Sequence, residues 1–417
     1  MTDQAASTSA PASGSRVRFR DLGVAIGEYA TGPHNAITDV PGVEVGHRTV
    51  RWGDGNEVDG QGPSRSGVTA IWPQRDLLRN PVAAGFFALA GTGEMTARSE
   101  MEELGRINTP IVLTNTMSVG LAYDAVCRYL VEHDAGVGAA DGVLIPVVAE
   151  CDDEYLHDVR GFHVTREHVY EALDAATGGP VAEGCVGSGT GMICFGFKGG
   201  IGSSSRRVPQ VLPQPTAGGG AGEDDEAAWH ALPAANPNAW TVGVLVMTNF
   251  GRRTRLTIAG VPVGRYLPWG SEAAVQPQPQ PHESHGGERV DGSCIVIVAT
   301  DAPLDGRQLA RLAKRASLGL GRTGSAGENG SGEILMAFST TYRPQQGAGV
   351  STQHLIEGES INDLFAAAID ATEEAVLNSL CMAETTVGRA GRTIHALPLE
   401  RLRELLAQHG RGNDVSG

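Results

Sequence analysis

The segment Asp291–Asp301 reads DGSCIVIVATD: a polar turn that ends at a glycine and continues as an unbroken apolar run. The run has the length and composition of a buried strand, and Ser293 stands at its first position. The Ser293 hydroxyl is therefore expected close to the peptide bond that precedes it. Gly292 has no Cβ, so its carbonyl can be approached closely. This arrangement suits cleavage of the Gly292–Ser293 bond by the serine itself.

Such a cleavage would leave a residue with two reactive groups. Attack of the Ser293 hydroxyl on the Gly292 carbonyl would turn the amide into an ester, and water would then release a new N-terminus. The freed serine would carry a nucleophile and an α-amine, as in enzymes whose own N-terminus is the base. A Gly-Ser pair is also an ordinary end of a loop that leads into a buried strand. The dipeptide alone leaves both interpretations open.

Composition and charge exclude several kinds of partner. Hydrophobic residues make up 41% and charged residues 19% of the 417 residues, which is ordinary for a globular protein with a large core. A net charge of −16 argues against nucleic acid and against an anionic membrane surface. No apolar run approaches the ~18 residues of a membrane span. We therefore expect neither nucleic acid nor a membrane as a partner.

The cysteines and histidines indicate a reduced protein without a bound metal. The six cysteines form no C-x-x-C pair, and several lie in apolar runs, where free cysteine behaves as a small hydrophobe. Residues 1–15 have neither the basic start nor the apolar core of a signal peptide. The histidines show no metal-ligand spacing. These features predict a cytoplasmic location and no metal.

Predicted strands and helices alternate along the chain. Several strands end in polar clusters and are followed by helices, which predicts a layered α/β domain with helices outside the sheets. Segments with little to bury are predicted to be flexible: 1–15, 213–228 and 275–289. The last of these leads almost directly to Gly292, so the proposed cut lies just beyond exposed chain.

Two glycine-rich stretches have different predicted structures. Gly319–Gly324 matches G-x-G-x-x-G by letter, but it follows a predicted helix and opens none, which excludes a nucleotide-binding loop. We interpret Gly319 and Gly321 as the end of a helix that begins after the capping residue Asp305. Gly187–Lys198, which reads GSGTGMICFGFK, is predicted to be strand-like.

Two polar clusters carry chemistry that would complement Ser293. Ser331 and Glu333 stand at positions i and i+2 of a predicted strand start, so their side chains share one face. A hydroxyl and a carboxylate held together are suited to orient the Ser293 amine and hydroxyl, although a solvent-facing strand start has the same pattern. Asn249 follows another strand and is either an amide donor for an oxyanion hole or an ordinary turn residue.

An acidic cluster surrounds a tyrosine at the end of a further strand. Glu150–Tyr155 reads ECDDEY and supplies a phenol with several carboxylates. One carboxylate is suited to hold the ammonium group of a substrate, and Glu150 and Asp153 are the two favoured choices. A charged, solvated turn is the alternative. Lys198 is a basic residue either near this site or at a sheet edge.

Together these residues resemble the DmpA-type self-cleaving aminopeptidases, which are L-aminopeptidase/D-amidase/D-esterases and β-peptidyl aminopeptidases. The resemblance extends over nearly the whole chain. Its most specific parts are Asp291-Gly292-Ser293, Ala299–Leu304, Ser331-Gly332-Glu333 and Gly187–Met192. It implies an α-β-β-α sandwich similar to that of N-terminal-nucleophile hydrolases but with different strand connectivity.

The resemblance also implies a role for each residue singled out above. Ser293 matches the nucleophile, and Gly292–Ser293 matches the self-cleaved bond. Ser331 and Glu333 match the serine and glutamate that support the nucleophile. Asn249 matches an oxyanion-hole asparagine, and Tyr155 is similar to an active-site tyrosine. The sequence departs from the family pattern around that tyrosine, where a glutamate and a histidine, Glu154 and His157, replace a glycine and an asparagine.

The mature unit that the resemblance implies is one catalytic domain of two interlocked chains, 1–292 and 293–417, assembled into a homo-oligomer. It would remove the N-terminal residue from short peptides, amino-acid amides or esters without a cofactor. Two alternatives remain: a self-cleaving acyltransferase of related fold, whose nucleophile would be threonine, and an uncleaved chain without activity.

Overall fold

A computed structural model describes residues 16–139, 143–210, 238–267, 292–341 and 354–412. The three segments predicted to be flexible, 1–15, 213–228 and 275–289, lie outside these residues.

The described residues form strands and α-helices, with several strands in succession before the first helix and again between the third and fourth helices. The strands are β1 (Glu44–Trp52), β2 (Ser64–Trp72), β3 (Val82–Ala88), β4 (Arg106–Ile107), β5 (Ile111–Asn115), β6 (Val147–Cys151), β7 (Ile193–Cys194), β8 (Phe197–Lys198), β9 (Ile201–Pro209), β10 (Ala239–Asn249), β11 (Ser293–Thr300), β12 (Gly332–Ser339), β13 (Thr386–Val387) and β14 (Thr393–Ile394). The helices are α1 (Arg98–Leu104), α2 (Val119–His133), α3 (Arg166–Asp174), α4 (Gly306–Thr323), α5 (Ile361–Met382) and α6 (Leu399–Gln408).

Two sheets lie at the centre of the fold. One has six strands in the order β4-β3-β12-β11-β10-β9, and the other has four in the order β1-β2-β5-β6. Helices α4 and α5 pack on the outer face of the six-stranded sheet, and helices α2 and α3 cover the four-stranded sheet. This is the α-β-β-α sandwich that the resemblance implied.

Strand β11 lies inside the six-stranded sheet and is buried along its whole length. Its side chains alternate, so that Cys294 and Val296 face helices α4 and α5, whereas Ile295 and Ile297 face the other sheet. Burial on both faces explains why the strand reads as an unbroken apolar run. Because Ser293 alternates with Cys294, its side chain points toward the four-stranded sheet.

Helix α4 runs through the two glycines that the sequence predicted as its end. The predicted cap is confirmed, since the Asp305 carboxylate accepts a hydrogen bond of 2.7 Å from the first turn. The helix ends only at Thr323, before Gly324 with a φ of 110°. Gly319 is instead a packing residue, because a Cβ there would lie 2.5 Å from the carbonyl oxygen of Ile369 on α5. Close approach of two helices explains this glycine.

The stretch Gly187–Lys198, which the sequence predicts to be strand-like, contains strands only near its end. Its start is a short 3-10 turn, and its end is the two-stranded hairpin of β7 and β8. The hairpin reverses at Phe195 and Gly196, which have φ values of 50° and 70°. Close contact also requires glycine here: a Cβ on Gly189 would lie 2.5 Å from the backbone nitrogen of Ile201.

Two glycines of α4 give a matched test of this packing. Gly319→Ala places a methyl group against the α5 backbone, and we expect the free energy of unfolding to fall by about 1–3 kcal/mol. Gly321→Ala meets nothing within 4 Å, so it should raise the stability by about 0.5–1 kcal/mol through the helix propensity of alanine. Thermal unfolding of both variants checks the prediction. Equal shifts in the same direction would contradict it.

Candidate active site

Ser293 occupies the first position of β11, between two neighbouring strands that both contribute to the site. It stands opposite Asn249 of β10 in an antiparallel pair and opposite Gly332 of β12 in a parallel pair. The residue is 5% exposed, and its hydroxyl oxygen is buried without a hydrogen-bond partner among the described residues. The Cys151 thiol of β6 lies nearby, and burial raises the pKa of that thiol well above its usual value.

The carbonyl that Ser293 would attack is held by two donors. The oxygen of Gly292 accepts a hydrogen bond of 2.8 Å from the Gly332 N–H and one of 3.1 Å from the Ser331 hydroxyl. Two donors on one carbonyl oxygen polarise it and stabilise negative charge that develops there. Little space surrounds the glycine itself, since a Cβ on Gly292 would lie 3.0 Å from the Cα of Phe250.

Ser331 and Glu333 contact each other, as their spacing predicted. The Ser331 hydroxyl lies 2.8 Å from Oε1 of Glu333, and Ser325, which follows α4, lies 3.3 Å from the same oxygen. Burial raises the pKa of Glu333, so its neutral form is favoured more than in an exposed glutamate. A protonated Glu333 would donate to Ser331, which would leave the single Ser331 proton for the Gly292 carbonyl.

The position of this pair differs in one respect from the prediction. Glu333 is in register with Cys294, so its side chain leaves the sheet toward α4, on the face opposite to the Ser293 hydroxyl. Strand alternation causes the difference. The pair therefore lies on the β12 side of the peptide unit that Gly292 and Ser293 share, where the Ser331 hydroxyl contacts the Gly292 carbonyl oxygen. It does not lie beside the Ser293 hydroxyl.

Asn249 lies on the other side of Ser293. Directly opposed residues of an antiparallel pair share a face, so the Asn249 side chain lies on the same face as the Ser293 hydroxyl. Its Oδ1 accepts from the Ile193 N–H at 2.9 Å, and its Nδ2 donates to the Asp152 carbonyl at 2.8 Å. A carboxamide nitrogen has two hydrogens, so one donor remains for an oxyanion.

Tyr155 stands on the loop that follows β6. The carbonyl of Asp152, on the same loop, accepts the hydrogen bond from the Asn249 side chain. The phenol is half-buried against Leu156, Ile193 and Ile394, and burial raises its pKa. The loop, and so Tyr155, lies on the β10 side of the nucleophile.

Glu150 lies on the opposite side, near β12. Its carboxylate is 4% exposed and accepts hydrogen bonds from the Glu94 N–H at 2.9 Å and from the Thr116 hydroxyl. A Cβ on Gly93 would lie 3.1 Å from Oε1 of Glu150 and 3.7 Å from the Cα of Gly332. The carboxylate is therefore close to the residue that pairs with Ser293. Burial raises the pKa of Glu150.

Asp153 occupies a different place. It is 1% exposed, and a Cβ on Gly191 would lie 2.6 Å from the Asp153 Cβ, so the side chain is packed under the glycine-rich turn. Burial raises the pKa of its carboxyl group well above the usual value. The two carboxylates that the sequence left open therefore have different surroundings: Glu150 lies near Gly332, the residue that pairs with Ser293, whereas Asp153 is packed under the glycine-rich turn.

Lys198 is fully buried and has no hydrogen left for a substrate. Its ammonium group donates to the carbonyls of Gly189 at 3.2 Å, Met192 at 2.8 Å and Gly199 at 2.9 Å. An ammonium group has three hydrogens, and these contacts use all of them. Burial lowers the pKa of Lys198. Its contacts favour a role in holding the glycine-rich turn rather than the predicted contact with substrate.

The described part of the chain offers neither a cluster of metal ligands nor a helix that could span a membrane. No group of three or more His, Cys, Asp or Glu side chains in these ranges is placed to hold a metal ion. None of the helices described above is long and apolar enough to cross a membrane.

Comparison with known proteins assigns the family. The model of peptidase family S58 matches residues 35–394. The chain belongs to this family. It is 43% identical over 403 residues to the β-peptidyl aminopeptidase BapA of Sphingosinicella microcystinivorans, a match covering 94% of this chain and 93% of that protein. It is 41% identical over 409 residues to BapA of Sphingosinicella xenopeptidilytica, covering 97% and 95% of the two chains.

A solved structure supports the same conclusion for the fold. The L-aminopeptidase D-Ala-esterase/amidase of Ochrobactrum anthropi, described as a new variant among the Ntn hydrolase fold, has a TM-score of 0.80 and 38% identity, with 95% of this chain and 99% of that chain covered. The predictions of the family, the sandwich fold and an aminopeptidase-type hydrolase are confirmed by these matches.

Two groups in the site of this S58 peptidase were not predicted from the sequence. The Gly332 N–H is a backbone donor. The sequence Ser331-Gly332-Glu333 predicted a role only for the side chains of its serine and glutamate. Arg392, whose guanidinium lies 4.7 Å from the centre of the Tyr155 ring, comes from the small hairpin of β13 and β14. No spacing in the sequence relates it to Tyr155, so only the fold reveals it.

Proposed function

We propose that this S58 peptidase is a self-cleaving aminopeptidase in which Ser293 is the nucleophile of both reactions. The proposal rests on the environment of the Gly292 carbonyl. This carbonyl accepts hydrogen bonds from the Gly332 N–H and the Ser331 hydroxyl, and the next residue in the chain is Ser293, whose hydroxyl is buried. The names of the relatives support it, since two are β-peptidyl aminopeptidases and the Ochrobactrum enzyme is called a prototype for the serine aminopeptidases.

In the self-cleavage that we propose, the Ser293 oxygen attacks the Gly292 carbonyl carbon. Negative charge develops on the carbonyl oxygen, where the Gly332 N–H and the Ser331 hydroxyl already donate. The C–N bond then breaks, and the nitrogen of Ser293 takes up the proton that the hydroxyl has lost. Water hydrolyses the resulting ester, which leaves a carboxylate on Gly292 and a free amine and hydroxyl on Ser293.

The same residues then serve turnover of a substrate. The Ser293 amine takes the proton from its own hydroxyl as that oxygen attacks a substrate carbonyl, and it returns the proton to the leaving amine. We propose that Ser331 and Glu333 position the amine, since the Ser331 hydroxyl contacts the carbonyl of the peptide unit from which that amine would come. The free Nδ2 hydrogen of Asn249 stabilises the oxyanion, on the face where the Ser293 hydroxyl lies. Water releases the acyl group and restores the enzyme.

We further propose that the fragments 1–292 and 293–417 stay interlocked as one catalytic domain. Strand β11 pairs with β10 of the larger fragment and with β12 of the smaller one. A fully buried ion pair of 2.6 Å between Arg206 and Glu374 also joins the two. Separation would expose both the strand edges and the unpaired charges, which is costly. Assembly into a homo-oligomer and a cytoplasmic location remain predictions from the sequence.

Two serines that touch Glu333 give a matched test of self-cleavage. Ser331→Ala removes one of the two donors to the Gly292 carbonyl, and we expect cleavage to slow by about a hundredfold. Ser325→Ala removes a neighbour of Glu333 that does not contact this carbonyl in the structure, so cleavage should stay within a few-fold of the wild-type rate. The time course of fragment appearance after synthesis measures both. Equal rates for the two variants would remove the proposed role of Ser331.

We also propose that Glu150 binds the ammonium group of the substrate. It is the buried carboxylate next to Gly332, and a charged hydrogen bond there contributes about 1.5–3 kcal/mol. If the bond forms in the transition state, a free N-terminus is preferred over a blocked one by roughly tenfold to hundredfold. The bond requires an ionised Glu150.

If Glu150 binds the ammonium group, the preference for a free N-terminus should depend on pH and on Glu150. The kcat/KM ratio of an aminoacyl p-nitroanilide to its N-acetylated form should fall as the pH drops through the pKa of Glu150, which burial has raised above the usual value. The titration of the Ser293 amine affects both substrates and cancels in the ratio. Glu150→Gln should bring the ratio near one, whereas Asp153→Asn should keep it. If Glu150→Gln keeps the wild-type kcat/KM ratio, another residue binds the ammonium group.

A further inference from the structure

Arg392 is an exposed cation beside the active-site loop. Its guanidinium stacks on the Tyr155 ring at 4.7 Å, and one of its nitrogens donates to the Tyr155 carbonyl at 3.2 Å. In the described part of the chain no carboxylate forms an ion pair with it, although Asp152 and Glu154 are exposed on the same loop. The neighbouring Arg389, by contrast, is paired with Asp59 at 2.7 Å.

The backbone around Arg392 is fixed, which limits where the guanidinium lies. Arg392 follows the turn Arg389–Gly391, and its carbonyl accepts from the Gly388 N–H at 2.9 Å. The Arg389 N–H in turn donates to the carbonyl of Leu156 at 2.9 Å, which ties the hairpin to the Tyr155 loop. A guanidinium held by stacking and by one hydrogen bond keeps several N–H donors in a fixed plane.

A buried carboxylate, that of Glu150, and the guanidinium of Arg392 lie on the two sides of Ser293. At this end of the six-stranded sheet, β11 with Ser293 lies between β12 and β10. Glu150 lies near β12, and Asn249 is on β10. The Tyr155 loop and Arg392 lie beyond Asn249. Two strand spacings, from β12 to β10, are about 10 Å, and Arg392 lies beyond them, so an extended peptide of roughly three to four residues is needed to reach from Glu150 to Arg392. A short peptide with a free amine and a free carboxylate has this charge pattern.

We propose that Arg392 binds the C-terminal carboxylate of the substrate and so makes this enzyme selective for short peptides that end in a free acid. The inference rests on the proposed function, because it takes Ser293 as the nucleophile and Glu150 as the ammonium partner. A planar guanidinium donates two parallel hydrogen bonds to a carboxylate, which fixes both its position and its orientation. The leaving group would then extend from Ser293 past Asn249 toward Tyr155. Arg392 acts here as a residue that determines specificity.

The experiment compares substrates that differ only at the C-terminus. Di-, tri- and tetrapeptides of one sequence series are prepared as free acids and as amides, and kcat and KM are measured for each with the cleaved enzyme. We expect the free acid to be preferred by about tenfold in kcat/KM at a length of three or four residues, mainly through KM. The preference should be smaller for the dipeptide, because its carboxylate falls short of the guanidinium.

Three variants identify the residue. Arg392→Gln should bring the ratio of acid to amide close to one, and Arg392→Lys should restore part of it, since lysine keeps the charge but loses the planar fork. Arg389→Gln is the matched control, because the charge of Arg389 is already used by Asp59, and it should keep the wild-type ratio. If Arg392 served only to hold the Tyr155 loop, its loss would slow acids and amides alike and leave their ratio unchanged.

The outcomes separate this inference from the proposed function. An aminoacyl p-nitroanilide has no C-terminal carboxylate, so its hydrolysis by the wild-type enzyme reports on the Ser293 chemistry alone. Absence of that hydrolysis would contradict the proposed function. Hydrolysis of the anilide together with equal rates for acids and amides, or with an acid preference that persists in Arg392→Gln, would overturn the role of Arg392 while leaving the proposed function in place.

Discussion

The register of strand β11 is the constraint on which the site depends. One pairing places Ser293 opposite Asn249, and the other places it opposite Gly332. A slip of one residue along either neighbour would turn the hydroxyl to the helix side of the sheet and move the Gly292 carbonyl away from its two donors. The buried apolar side chains on both faces of β11 prevent such a slip, because each face fits a different core.

The same strand explains why the proposed fragments would form one unit. The nucleophile, the Ser331–Glu333 pair and Arg392 lie after the Gly292–Ser293 bond, whereas Asn249, Glu150 and Tyr155 lie before it. The turnover that we propose needs groups from both sides of the bond. The cut would therefore release an amine at the centre of a folded sheet without separating the groups that use it.

The sequence predicted the site best where local geometry suffices. The i, i+2 spacing brought Ser331 and Glu333 together, and the apolar run after Gly292 placed Ser293 at a strand start; both features follow from strand periodicity. The layer order and the place of Asn249 in the site were predicted only from the resemblance to a known family. Local patterns do not predict them, because sheet order depends on contacts between residues far apart in the sequence.

Packing decides the features that the sequence predicted wrongly or left open. Gly319 and Gly321 gave the signal of a helix end, but Gly319 allows α4 to approach α5. Lys198 is a buried donor to three carbonyls, and no pattern in the sequence distinguishes it from a lysine in a pocket. Glu150 and Asp153 are three positions apart and equally acidic, so only their surroundings separate them. Arg389 and Arg392 also look alike until the ion pair of one and the ring contact of the other are seen.

Cleavage of the Gly292–Ser293 bond by the chain itself can be tested by N-terminal sequencing with intact-mass measurement. For the purified wild-type protein we expect two chains, 1–292 and 293–417, the smaller of which begins at Ser293. For Ser293→Ala we expect one uncut chain. Self-cleavage by Ser293 would be wrong if the wild-type protein remained a single chain, or if Ser293→Ala were still cut at this bond.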